Sequence, residues 1–460
     1  MDLRHPIHDS PDPVVHSVAF SEDGSRFVCG MENGIRVFRS KDCVRTVKKS
    51  PGLGRGIAIA ETLDDRHTAV VGGGRLPNSS HTEVEFWDTL DDRLLAHLDM
   101  SESILGIRVT AKYFVIILEG RVVCMDYVYS EQDAAIIPGG VRGIYDTALN
   151  PYALCCISGD TLALPGLTSG QAQIVHLADK RKRVIPAHNS ALRAIALSKD
   201  GEVLATAGEQ GTLIRVFSVT ANMQTHEFRR GVERAVIFSL AISPSNRFVA
   251  STSDKGTLHI YDLRPPPTEE VRPPPKRRIS NTRPAAVQRT RPGSVDFDTA
   301  SIPSGSSSPM PGTGFYGPPS DLAHTPPTAG PSVFAAIGRL PGMPRAFSDA
   351  RSMTSTPYHL GSDPQNWQGQ PAYSVTTNPD GNKQKVANPN VPLPGRPDGK
   401  PPKGIIAWDP HADDRRLWVV GGGADARWEV FDLLEDQSNH TMKVVKVGFR
   451  KYLTRQFPEK

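Results

Sequence analysis

Short runs in which apolar and polar residues alternate recur along most of this chain, separated by turn-forming residues. Ser17-Val18-Ala19-Phe20 and Thr257-Leu258-His259-Ile260-Tyr261 have period two, the pattern of a strand that buries one face. The runs group into a larger unit: an apolar strand, a Ser-x-Asp-Gly kind of turn, a second strand, a Gly turn and a third strand. Val15–Phe38, Ala191–Phe217 and Val236–Leu263 fit this unit closely. Their Asp-Gly and Lys-Gly dipeptides put glycine where such turns need positive φ. Ile57–Trp87, Ile104–Tyr127, Val141–Leu177 and Ile405–Leu433 follow the same template more loosely. A spacing of about 40 residues with three or four strands per unit is that of a WD-repeat propeller. The expected fold is therefore all-β, a seven-bladed β-propeller.

Between Arg264 and Lys403 the alternation stops. Residues 265–402 are dense in Pro, Ser, Gly and Thr, as in Pro265-Pro266-Pro267 and Ser304–Pro311, with too little apolar content to build a core. The expectation is a disordered loop inserted in the sixth blade, the propeller itself comprising 1–264 and 403–460. Strands resume after the stretch, which favours an exposed insertion over a failed repeat assignment. Its most apolar part carries Val333, Phe334, Ile337 and Leu340, with Arg339, Arg345 and Arg351 nearby. Such a segment can lie in a lipid interface, or be a sticky stretch of disordered chain. Lys276-Arg277-Arg278 followed by Ser280 reads as a basophilic kinase site, where phosphate would oppose attachment to an anionic bilayer.

Bulk composition narrows the function. A net charge of +4 over 460 residues does not suit a broad nucleic-acid-binding face, so anion recognition should be local. The five cysteines have no C-x-x-C spacing, which argues against a disulfide framework or a zinc site and for a reducing compartment. Met1–Pro13 lacks the apolar core of a signal peptide, and the strongest apolar run, Tyr113–Leu118, is too short to span a bilayer. The expectation is a soluble intracellular protein whose membrane contact is peripheral. Gly72-Gly73-Gly74 and Gly421-Gly422-Gly423 lack the spacing and the following helix of a nucleotide loop and read as turns. No nucleophile elbow, metal-spaced set or recurring carboxylate pair points to an enzyme, and neither a catalytic residue nor a cofactor is expected.

The chemistry concentrates at Phe228-Arg229-Arg230-Gly231. Neighbouring side chains of an extended strand leave on opposite faces, so Arg229 and Arg230 should serve separate pockets. An arginine fork meets phosphate bidentately, and hydroxyls and glycine turns let backbone N–H groups approach an anion. His259 alternates with Leu258 and Ile260, which places it on the polar side, where protonation near an anion would add a donor.

With these residues the chain resembles the PROPPIN family, the WIPI-type β-propellers that bind phosphoinositides in autophagy. The resemblance covers roughly 15–264 and extends to Ile185-Pro186-Ala187-His188, Ala205-Thr206-Ala207, Gly211–Phe217 and Ser253–Ile260. Val71–Gly74 through Trp87-Asp88 is similar to the smaller branch with a Gly-Gly-Gly loop. Membership implies two headgroup pockets, for phosphatidylinositol 3-phosphate and phosphatidylinositol 3,5-bisphosphate. The first would hold Thr206, Gly211, Thr212, Arg215 and Arg229, and the second Arg230, Gly231, Ser253, Thr257 and His259. His188 and Arg193 are candidate helpers of the first. Gly208 stands where the family often has Ser, which removes one hydroxyl. The resemblance further implies action on vacuolar, endosomal and pre-autophagosomal membranes, and an autophagy-related protein partner on the rim of blades two and three near Gly72–Asn78. The competing reading is a WD-repeat scaffold without lipid specificity. In it Thr212 and Thr257 are ordinary turn residues, His188 orders a turn, and the arginines meet acidic peptides.

Overall fold

The alternating runs are strands in the computed structural model of the chain. It describes residues 15–264, 350–361, 374–377, 383–386 and 394–453, with short breaks at 48–51, 55, 65, 75–77, 131–134, 424 and 437–440. Seven sheets follow one another around a ring, each built on four antiparallel strands, with a short fifth strand added in parallel to blade five. Blade one runs through Val15–Phe20, Arg26–Met31, Gly34–Arg39 and Val44–Arg45. Blade two has Ile57–Thr62, His67–Gly72, Glu83–Asp88 and Arg93–Asp99, and blade three Gly106–Val109, Tyr113–Ile117, Arg121–Ser130 and Ala135–Asp146. Blade four has Cys156–Ser158, Thr161–Pro165, Gln171–His176 and Arg181–Pro186, and blade five Leu192–Leu197, Val203–Gly208, Leu213–Ser218 and Met223–Arg229. Blade six has Ile237–Ile242, Phe248–Ser253, Thr257–Asp262 and Thr354–Pro357, and blade seven Ile405–Trp408, Arg416–Val420, Arg427–Asp436 and Thr441–Lys451. The expected seven-bladed propeller is the observed fold. A separate short hairpin pairs Ser374–Thr377 with Lys383–Val386.

Both faces of each sheet are covered by a neighbouring sheet, so apolar clusters fill the gaps between blades rather than one central core. Ile174, Ile185, Leu204 and Phe217 fill the gap between blades four and five. Ile214, Val216, Phe228, Ile237, Val249 and Tyr261 fill the gap between blades five and six. Within one strand, alternate residues therefore face different neighbours: Phe217 looks to blade four while Val216 looks to blade six. All four strands of blade seven come from the chain's last segment, so the ring closes by side-chain packing. Tyr452 meets Phe27 and Phe38 edge-on at 5.6 and 5.3 Å, and its hydroxyl donates to the Gly421 carbonyl at 2.9 Å.

Two boundaries differ from the sequence expectation. Val141–Ile144 belongs to the outer strand of blade three, not to the start of blade four. Its apolar residues look outward, Val141 being 57 % and Ile144 53 % exposed, so their alternation does not mark an inner strand. The insertion leaves blade six after its third strand, and the fourth strand, Thr354–Pro357, is supplied from inside the 265–402 stretch. Just before it, Ala350–Arg351 pairs in parallel with the outer strand of blade five. Four residues of Thr-Ser-Thr-Pro amid Pro/Ser-rich chain carry no periodicity by which to read a strand. Val333, Phe334, Ile337, Leu340 and Ser280 lie outside the described residues.

Candidate functional site

The outer strand Met223–Arg229 sets the site's geometry. Glu227 and Arg229 pair with Arg215 and Leu213, and Phe228 pairs with Ile214. Ile214 and Phe228 belong to the cluster shared with blade six. The alternation therefore turns Arg215, Glu227 and Arg229 towards blade four. Arg230 falls on the opposite parity, and its charge acts on His259 and Tyr261 of blade six. The two arginines thus address two different gaps, each where a strand ends at the ring's edge.

In the gap towards blade four, Arg215 donates to the Glu227 carboxylate at 2.7 Å and to the Ala187 carbonyl at 2.6 Å. Thr206 is wholly buried, and its hydroxyl lies 3.0 Å from His188 Nε2 and 3.4 Å from the Arg215 carbonyl. It fixes His188 and the strand behind this gap, because no part of it reaches solvent. A Cβ on Gly208 would stand 2.7 Å from the Ser190 hydroxyl and 3.2 Å from the His188 ring. Ser190 thus occupies the room that a serine at 208 would need and brings its own hydroxyl there. Arg193 stacks on the Tyr152 ring at 3.9 Å from the innermost strand and takes no part in this gap's outer edge.

Gly211 links the two gaps. Its φ is +59°, and a Cβ there would fall 1.8 Å from the Ala235 carbonyl oxygen, so no side chain fits. Its carbonyl accepts from Arg230 Nε at 2.8 Å, and Arg230 Nη2 donates to the Glu233 carbonyl at 2.8 Å. Arg230 N–H bonds the Thr212 carbonyl at 2.9 Å, which fixes where the strand ends. A Cβ on Gly231 would meet open space.

In the gap between blades five and six, His259 pairs with Ser251 and lies on the face that carries Val249 and Tyr261, towards blade five. Its ring is held at both ends, Nε2 3.0 Å from the Thr257 hydroxyl and Nδ1 3.1 Å from the Ser352 hydroxyl. Ser253 is wholly buried and its carbonyl accepts from Tyr358 at 2.7 Å, so, like Thr206, it builds the wall rather than the opening.

Burial, reinforced by Arg215, pushes the His188 imidazole down to about 4, and burial with Arg230 does the same for His259. Both are neutral at pH 7, so His259 brings no added charge there. An unfolded histidine titrates near 6.5, so between about 4 and 6.5 the unfolded chain binds two protons that the native one refuses. The native state's advantage is complete above that window and is lost as pH falls through it. The urea midpoint of the wild type should fall more steeply from pH 7 to pH 5 than that of His188→Gln/His259→Gln. Parallel slopes would refute the neutral pair.

Glu227, Ser190 and Ser352 were not among the residues singled out by sequence, and Arg351 was read only as a basic neighbour of the apolar segment, not as part of this site. Glu227 had a signal, since it sits two residues before Arg229 and must share its face. The other three meet the site only through tertiary pairing. The Gly72–Gly74 turn packs closely against Ser79, Ala58 and His16.

With this geometry in place, known proteins can be compared. The PROPPIN family model matches residues 93–275. SVP1-like protein 2 of Neurospora crassa is 32 % identical over 98 % of this chain and 99 % of its own length. SVP1-like protein 2 of Emericella nidulans is 33 % identical over 84 % of this chain and 97 % of its own. Autophagy-related protein 18e of Arabidopsis thaliana is 33 % identical over 57 % of this chain and 71 % of its own. Among solved structures, Kluyveromyces lactis Hsv2 superposes with a TM-score of 0.57 over 95 % of this chain and 99 % of its own, at 14 % identity. A complex of KlAtg21 with the coiled coil of AgAtg16 gives 0.52 at 13 % identity, over 95 % and 99 %. The ring of seven blades, the family-model match and 32 % identity to an SVP1-like protein over nearly the whole chain lead to one assignment: the chain belongs to the PROPPIN family.

Proposed function

We propose that this chain is a peripheral membrane effector that binds phosphatidylinositol 3-phosphate and phosphatidylinositol 3,5-bisphosphate through the two gaps flanking blade five. The observation that carries this reading is the opposite parity of Arg229 and Arg230, one towards blade four and one towards blade six. Arg215, Arg229, Thr212 and Gly211, backed by Thr206 and His188, serve the first headgroup. Arg230, Gly231, Thr257 and His259, backed by Ser253, serve the second. Two pockets on one edge make the second binding event intramolecular, which multiplies a weak single contact. An anionic leaflet adds about 1 kcal/mol per nearby basic residue. The segment with Val333, Phe334, Ile337 and Leu340 supplies a third anchor by entering the interface.

The place of action is autophagic, vacuolar and endosomal membranes, in keeping with relatives named autophagy-related protein 18e and 18. The solved KlAtg21 complex with a coiled coil of AgAtg16 supports an autophagy-related protein partner, and this reading seats it on the rim of blades two and three. Flotation with vesicles carrying each phosphoinositide in turn tests the reading. Recovery with 3-phosphate and 3,5-bisphosphate vesicles and not with unphosphorylated phosphatidylinositol is the expected result. Equal recovery across the series would leave the scaffold reading.

A further inference from the structure

The returning limb of the insertion is clipped to both blades that carry the site. Ala350 and Arg351 pair in parallel with Phe228 and Arg229. One residue on, the Ser352 hydroxyl lies 3.1 Å from His259 Nδ1. Next, Met353 N–H donates to the Ile260 carbonyl at 2.8 Å, and Thr354–Pro357 continues as the outer strand of blade six. Three consecutive residues thus cross from the edge of one blade to the edge of the next, over the mouth between them.

Lateral partners on neighbouring strands project to the same side of a sheet, with strand axes about 4.8 Å apart. Arg351 is therefore on the side of Arg229, Arg215 and Glu227, facing blade four, and its side chain is exposed. Glu227 neutralises Arg215 at 2.7 Å. A doubly charged phosphate monoester in this gap needs more positive charge than Arg229 alone brings, and Arg351 stands on the adjacent strand to bring it. Because it belongs to the insertion's return and not to the repeat, its placement depends on the parallel clip.

We propose that Arg351 is a headgroup-contacting residue of the gap between blades four and five, acting beside Arg229 on the phosphate of a phosphorylated inositol. The inference rests on the lipid-binding reading above and adds a contact that the insertion itself delivers. Lipid headgroup and free inositol phosphate share this chemistry, so the test has an arm for each.

The full chain is compared as wild type, Arg351→Ala, Arg351→Lys and Arg229→Thr/Arg230→Thr. One arm measures binding to phosphatidylcholine vesicles with and without phosphatidylinositol 3-phosphate; the other measures calorimetric binding of soluble inositol 1,3-bisphosphate. Arg351→Ala should lower affinity about tenfold in both arms, as loss of one charge-assisted phosphate contact does, with an unchanged thermal midpoint. Arg351→Lys should recover part of it. Loss on vesicles with unaltered binding of the soluble headgroup would overturn the contact and leave only general attraction to the leaflet. Wild-type affinity of Arg351→Ala in both arms, while the double arginine variant fails, would overturn the inference and spare the underlying reading. If the wild type binds neither probe, or the double variant binds like it, the reading and the inference fall together.

Discussion

Arg229→Thr/Arg230→Thr should abolish recovery with 3-phosphorylated vesicles and leave the propeller folded. Each arginine's contact with a phosphate is worth about 1.5–3 kcal/mol, because the donor is charged and the bonds can be bidentate. Losing one in each gap removes about 3 kcal/mol or more, a factor above about 100, and removes the avidity that joins the gaps. The single variants should separate them. Arg229→Thr weakens the gap towards blade four and leaves Arg230 against His259, while Arg230→Thr does the reverse. Each single variant should retain weak, salt-sensitive binding that the double variant lacks. The fold is not immune, since Arg230 ties the carbonyls of Gly211 and Glu233. Losing those two bonds should cost about 1–2 kcal/mol, visible as a modest fall in the urea midpoint. Arg229→Thr spares both of these bonds. Vesicle recovery equal to the wild type's would defeat the lipid assignment.

Why the arginines could be read from sequence, and much of their surroundings could not, has a physical explanation. Parity along a strand is a local property: once Leu213–Ser218 and Met223–Arg229 are strands, the opposite directions of Arg229 and Arg230 follow. Glu227 follows by the same rule. The blades were legible for a similar reason, since most are meanders of neighbouring segments, and in blades one, five and six a turn carries Asp-Gly or Lys-Gly. What escaped depends on contacts across long separations. His188 meets Thr206, and Ser190 fills the space beside Gly208, because the loop entering blade five folds back against that blade's second strand. Arg351 and Ser352 reach the site from the far end of the insertion, 122 residues after Arg229 in the first case. A four-residue strand in Ser/Thr-rich sequence has too few positions for alternation to stand out. The neutral state of His259 was illegible too, because its pKa is set by burial between two blades and by Arg230.

Phe228 is the structural counterpart of the arginines, and Phe228→Ala should show the opposite pattern: a large loss of stability with the binding groups intact. The ring is 5 % exposed, its centroid 5.0 Å from that of Tyr261 and 5.5 Å from that of His226. It fills the gap between blades five and six from the strand whose next two residues are the arginines. Truncating a buried phenylalanine costs about 3–5 kcal/mol, from lost apolar burial and the cavity left behind. Phe228→Leu keeps most of the volume and should cost under about 1.5 kcal/mol. The loss should be local, since each blade packs mainly on its two neighbours. Amides of Val203–Ser218 and Ile237–Asp262 should lose hydrogen-exchange protection while those of blades one and two keep theirs. At 10 °C, where the variant remains folded, affinity for 3-phosphorylated vesicles should fall only severalfold, far less than in the double arginine variant. If Phe228→Ala were as stable as the wild type, the ring would not be the wedge between the blades. If it abolished binding while keeping full protection in blades five and six, the division between a residue that holds and residues that bind would fail.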